Sequence, residues 1–157
     1  MLSLTAANPS DIIPLRDLAV NAFAEDKKYR PSGIDDGEPP GIETTRKHEE
    51  WLNSKTYLKC TKNDILVGSC ILDIHDNKGV IDGLHVEPLY MNTGIGSWIL
   101  NEIQRLFPKV YIWTLQTPDY STRNHHFYKK NQFILKNKTS PEPSLGFGFY
   151  KYEKRVQ

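Results

Sequence analysis

Two short stretches hold residues whose types and spacing could do chemistry. The first is Met91-Asn92-Thr93-Gly94-Ile95-Gly96, where glycines open a helix. The first backbone N–H groups of a helix lack intrahelical partners, and the dipole favours an anion there. Glycines let such an anion approach closely, so the chemistry offered is phosphate binding. Two familiar phosphate loops are excluded. Gly96 is followed by Ser97-Trp98 rather than Lys and Ser/Thr, and Ile99 stands where a dinucleotide fingerprint needs a third small residue. What remains is a cradle for one diphosphate or an ordinary strand-to-helix turn, the better reading of this stretch taken alone. The second stretch is Asn124-His125-His126-Phe127-Tyr128-Lys129-Lys130-Asn131-Gln132-Phe133. On a helix Asn124 and Tyr128 share one face, while Phe127 turns toward the core. A carboxamide and a phenol so placed could hold a polar ligand between helix and sheet.

Gly79 to Phe107 must position the cradle. Val80, Ile81, Leu84, His85 and Val86 predict a strand stopped by Glu87-Pro88, and Ile95, Ile99, Ile103, Leu106 and Phe107 lay an apolar stripe along a helix. Before it, Leu2 and Leu4 open a short strand. Asn8-Pro9 starts a helix that runs to about Ala24, with Ile12, Leu15, Leu18, Ala19 and Ala22 on its apolar face. Arg30 to Ile42 is a Pro- and Gly-rich loop carrying Asp35, Asp36 and Glu38. A second helix spans about Glu43 to Asn53, anchored by Trp51 and Leu52. Tyr57–Thr61 and Ile65–Asp73 form a hairpin turning at Lys62-Asn63-Asp64. Pro108 closes the long helix, Val110–Leu115 is a strand ended by Thr117-Pro118-Asp119, and Ser121 or Asp119 caps the Tyr128 helix. Phe133–Lys138 and Phe147–Lys154 finish as paired strands. This order predicts an α+β protein with a mostly antiparallel sheet.

The 157 residues, 38% hydrophobic, suffice for one domain over 1–157 with a real core. Twenty basic against nineteen acidic side chains leave a formal charge of +1, which gives no drive toward nucleic acid. No apolar run approaches a membrane span of about 20 residues, and the N-terminus shows no signal pattern. Cys60 and Cys70 lack metal-type spacing. They fall in adjacent strands, where a cross-strand disulfide and two free thiols in a reducing cytoplasm both fit, the thiols better.

With these segments in hand, Val86 to Gly96 followed by Asn124 to Phe133 resembles the GNAT superfamily of N-acetyltransferases. Its cradle is written Arg/Gln-x-x-Gly-x-Gly/Ala and its later helix Asn-x-x-Phe-Tyr-x-Lys-x-Gly-Phe. The chain looks most similar to small bacterial-type members of unassigned acceptor. The resemblance implies a mixed, mostly antiparallel sheet of six to seven strands with helices on both faces, and acetyl-CoA as cosubstrate without a metal. Amides of Met91, Asn92, Thr93, Gly94, Ile95 and Gly96 would bind the diphosphate. Leu84, His85 and Val86 would lie along the pantetheine arm like an added strand. Asn124, and Thr117 in the Thr-Pro after the fifth strand, would contact the cofactor, and Tyr128 would sit near the thioester sulfur as the acid that protonates the departing thiolate. The acceptor would be a primary amine of a small molecule or peptide, and a homodimer is allowed.

The sequence departs from that pattern. Met91 replaces Arg or Gln, Thr93 stands where a basic residue is frequent, and Gln132 replaces a glycine. The family's strand glutamate aligns with Val80. Asp82, one pleat on, is the candidate base, direct or through water, beside the commoner case of a strand aspartate facing solvent. Period two is expected to put it on a face with Val80, Leu84 and Val86. His85 is expected on the opposite face, His125 and His126 at the surface. In the family the first helices and their loop shape the acceptor pocket. Here Tyr29, Asp35, Asp36, Glu38, Glu43 and Trp51 would suit a cationic amine, but an acidic loop is more often simply solvated, so no acceptor follows. The rival reading is a catalytically weak acyl-CoA-binding module, favoured by the same departures.

Overall fold

The computed structural model describes residues 1–33 and 39–156. The expected acidic positions Asp35, Asp36 and Glu38 lie outside the described residues. In chain order the elements are β1 (Leu2–Ala6), α1 (Ile12–Asp26), α2 (Thr45–Ser54), β2 (Thr56–Lys62), β3 (Ile65–His75), β4 (Lys78–Val86), α3 (Ile95–Leu106), β5 (Ile112–Pro118), α4 (Thr122–Lys130), β6 (Ile134–Lys138) and β7 (Phe149–Arg155). The strands form one seven-stranded sheet in the order β1-β2-β3-β4-β5-β7-β6. Every pairing is antiparallel except β4 with β5. This is the α+β, mostly antiparallel architecture the element order implied.

Local chemistry explains several boundaries. The Asn8 side chain accepts from Ser10 N at 3.0 Å and Asp11 accepts from Asn8 N at 2.9 Å, so a capped 3-10 turn at Pro9–Asp11 leads into α1. Asn63 and Asp64 take positive φ of 51° and 68°, the pair of left-handed residues that a tight hairpin turn requires. β5 starts later than expected and runs on through Thr117 and Pro118, because both pair with β7. Neither expected cap of α4 acts through its side chain: Asp119 instead accepts from Gly148 N at 2.9 Å.

Helices cover both faces. Ile95, Ile99, Leu100 and Ile103 of α3 are buried with Leu72, Ile81 and Trp113, and Phe127 and Tyr128 of α4 pack against that cluster. On the other face Leu15, Tyr57 and Ile71 form a second cluster with Trp51 and Leu52. His48, fully buried, adds a polar anchor of α2 to Trp51 and Leu52: its ring bonds Tyr57 Oη and the Ile42 carbonyl, both at 2.7 Å. Cys60 and Cys70 are buried free thiols, and burial raises them to about 11 and about 12. Each pairs across the ladder with another residue, Gly68 and Leu58 respectively, so no disulfide joins them.

Two irregularities make the site. β4 and β5 pair only where Lys78–Val80 meets Ile112–Thr114, and beyond that the strands part. Each keeps its outer partner to its end, β4 with β3 and β5 with β7. In β4 the register runs Ile81 with Leu72 and then Gly83 with Ile71, leaving Asp82 as the extra residue of a bulge.

Candidate active site

The parting opens a cavity of about 890 Å³ that passes between α3 and α4 on one side and α1 on the other. That volume suits an organic ligand. Leu84, Val86, Thr117, Asn124, Phe127 and Tyr128 all line it, as do Met91, Asn92, Gly94, Ile95 and Gly96. The structure therefore brings together the two stretches that the sequence singled out.

At the cradle, the first helical bond of α3 runs from Trp98 N to the Gly94 carbonyl at 3.0 Å. The amides of residues 92 to 97 donate to no protein group among the described residues. Met91 is the exception to the expected set, because its amide is taken by the Pro88 carbonyl at 3.2 Å. The Thr93 hydroxyl is occupied with the Tyr90 carbonyl. Gly94 caps the helix at φ 89°, and a Cβ there would meet nothing within 4 Å. That left-handed conformation with open space beside it fits a close ligand. Gly96 has a different reason: a Cβ would come within 2.9 Å of Phe127, so this glycine lets α4 lie against α3.

Deeper in, Asn124 Nδ2 donates to Thr117 Oγ1 at 3.2 Å, which ties the helix to β5. Tyr128 lies beside Phe127 and Phe133, ring centroids at 5.1 and 5.6 Å. Burial raises its phenol pKa, and the nearby Asp26 charge raises it further. Tyr152 of β7, which sequence reasoning missed, is buried in the same wall with its ring 6.1 Å from Tyr128. Its hydroxyl has no hydrogen-bond partner among the described residues.

The bulge at Asp82 reverses the expected alternation. Leu84 and Val86 sit opposite Cys70 and Gly68 on the α3 face, whereas Asp82 keeps company with Val80 and Asp73 on the α1–α2 face. Lys55 Nζ approaches Asp82 at 2.6 Å and Asp73 at 3.6 Å. His85, expected on the face away from Asp82, lies on the same face. It contacts Ser69 Oγ through Nδ1 at 3.3 Å and the Phe23 ring of α1 at 5.5 Å. Burial pushes its pKa down to about 4. His125 is not a surface residue either: it is 9% exposed, stacks on Tyr150 at 4.4 Å and bonds the Pro118 carbonyl at 3.0 Å. His126 is exposed as expected. Of the acceptor candidates, Glu43 is exposed and Trp51 lies edge-on to His48, away from the opening. Phe23, Asp26 and Arg123 line it instead, and no local sequence pattern marks them.

A mixed sheet that parts in the middle, with free amides at one end of the gap, is the arrangement the acetyltransferase resemblance implied. Solved structures of that kind align along the whole chain. The PaiA N-acetyltransferase from Thermoplasma acidophilum, in complex with coenzyme A, superposes with a TM-score of 0.80 at 18% identity over 99% of both chains. The ribosomal-protein-S18-alanine N-acetyltransferase from Escherichia coli gives 0.77 at 12% identity, covering 100% of this chain and 95% of its own. A GNAT family acetyltransferase from Elizabethkingia anophelis with acetyl-CoA bound gives 0.71 at 15%, over 99% and 98%. At such identities they establish the fold. No curated protein matches the chain in sequence. The family model described as acetyltransferase (GNAT) domain, PanZ, matches residues 4–138, and the chain belongs to that family.

Proposed function

We propose that this chain, one domain over residues 1–157, moves an acetyl group from acetyl-CoA to a primary amine of a small molecule or peptide by direct attack in a ternary complex. The observation that carries the reading is the parted sheet, with free amides at its mouth and a buried phenol in its wall. The residues present fit the cosubstrate: Gly94 leaves the cradle open, and the orphaned Tyr152 hydroxyl awaits a polar partner. When bound, acetyl-CoA supplies an activated acyl thioester.

The chain's own groups do the rest. Amides of residues 92 to 97 hold the diphosphate, and the free edge of β4 along Leu84, His85 and Val86 receives the pantetheine amides. Asn124, steadied by Thr117, fixes the arm, and the Val86 N–H is the donor for the developing oxyanion. Tyr128 gives a hydrogen bond and then a proton to the sulfur. Its raised pKa makes it a weak acid, but the same dry surroundings raise the basicity of a thiolate, so the two remain matched. Asp82 takes the amine's proton from the α1–α2 side, with Lys55 competing for its carboxylate. The two buried thiols suit the reducing cytoplasm, and no described helix is long and apolar enough to cross a membrane.

Acetyl transfer across a panel of amines, with Tyr128→Phe alongside, tests the mechanism. Loss of the phenol should lower kcat about 100-fold and leave the acetyl-CoA KM nearly unchanged. Equal rates for both proteins would remove Tyr128 from the chemistry. The Lys55 grip on Asp82 favours a second reading, an acyl-CoA-binding regulatory module. CoA binding without transfer to any amine would select it.

A further inference from the structure

Met91, where the family pattern places Arg or Gln, presents an apolar thioether, yet a guanidinium stands beside it. Arg123, near the start of α4, brings Nη1 to 3.8 Å from Met91 Sδ. Its Nη2 donates to the carboxylate of Asp26 at the end of α1, a partner 97 residues away. The guanidinium also lies 5.0 Å over the Tyr29 ring. Met91, Asp26 and Arg123 line one cavity. Arg123 thus ties the cofactor side of the parting to the amine side.

The tie is easily exchanged. Both side chains are about a third exposed (33% and 34%), and an ion pair in contact with water holds weakly. The planar fork that fits a carboxylate fits a phosphate equally well, and a diphosphate carries more charge. We propose that Arg123 is a diphosphate-binding residue of the cradle that Asp26 holds in waiting, so that loading of acyl-CoA moves Arg123 from carboxylate to phosphate. The proposal rests on the acetyl-CoA reading above. It supplies the cation that Met91 and Thr93 do not. It also makes binding ordered, since the cofactor frees α1 and its Asp26 to meet a cationic amine. Lys130, Lys136 and Lys151 reach the cavity from the end of α4 and from β6 and β7 and are the rival phosphate partners.

Calorimetric titration of CoA into the wild type, Arg123→Gln and Asp26→Asn decides the matter. Arg123→Gln, which keeps length and polarity, should weaken CoA about tenfold, the worth of one charged hydrogen bond. Asp26→Asn removes the competitor and should tighten CoA severalfold. Circular dichroism of each variant confirms that it is folded. An unchanged affinity in Arg123→Gln overturns the proposal in favour of the lysines. Unchanged or weaker binding in Asp26→Asn shows a brace rather than a held ligand residue, and overturns it too. In either case loss of CoA binding in Gly94→Glu would leave the transferase reading standing, whereas no CoA binding by the wild type would end that reading itself.

Discussion

The two sides of the parted sheet present different surfaces to a ligand. On the α3–α4 side the groups offered are backbone amides, an unobstructed glycine and an orphaned hydroxyl, all ready before anything binds. On the α1–α2 side the polar groups are already held, Lys55 by Asp82 and Asp73, Ser69 by His85, and Asp26 by Arg123 reaching across from α4. A donor site built from backbone is preorganised and changes little on binding. If the α1–α2 side receives the acceptor, as proposed, its paired side chains must trade partners first, and selectivity would lie in the energy of that exchange.

The largest effect expected lies on the closed side. Burial, with His48 adding to it, holds the His85 imidazole at about 4 against 6.5 in the unfolded chain. Between those values the unfolded chain binds a proton that the folded one does not. The stability is therefore fully present above pH 6.5 and is lost as pH falls toward 4, by about 3 kcal/mol in all. His85→Gln should flatten that part of the stability–pH curve, measured by denaturant melts. An unchanged slope would mean that the imidazole is not buried neutral, and the contrast between the two sides would weaken.

On the open side CoA should raise the melting temperature, by about 2.7 kcal/mol of stability at a hundredfold excess over Kd. Gly94→Glu should lose that shift, since it sets a carboxylate into the cradle. Gly94→Asn, which tolerates a left-handed backbone, should keep most of it. A glutamate variant with the full shift would show that the diphosphate sits elsewhere. Gly96→Ala should cost about 2 kcal/mol by thermal melt, because the methyl meets the Phe127 ring. A loss of CoA affinity without loss of stability would make Gly96 a ligand contact instead. The smallest effect is at Gln132, held at φ 66° where the family pattern has glycine. Gln132→Gly should stabilise the fold by about 0.5 kcal/mol and leave CoA binding unchanged, relief of strain being partly offset by unfolded-state entropy.

Most of the elements were legible in the chain because their signals are short-range. Asn8-Pro9, Asn63-Asp64 and the Ile95-Ile99-Ile103 stripe each act within a few residues. The face of Asp82 was not legible: alternation assumes an unbroken ladder, and one extra residue opposite Ile71 and Leu72 turns the following side chains over. His125 looked like a surface residue because its cover, Tyr150, comes from a strand that folds back only at the end of the chain. The two glycines flanking Ile95 suggested a close ligand at both, whereas Gly96 answers to Phe127.

By itself the amino-acid sequence determined the order of strands and helices, the open amides at the start of α3 and the shared face of Asn124 and Tyr128, since each depends on backbone geometry within one or two helical turns. Only the tertiary structure decided where β4 and β5 part, which way Asp82 and His85 look, and that Arg123 meets Asp26. Those outcomes depend on how elements far apart in the chain close around one core, and no local spacing encodes the distance between them.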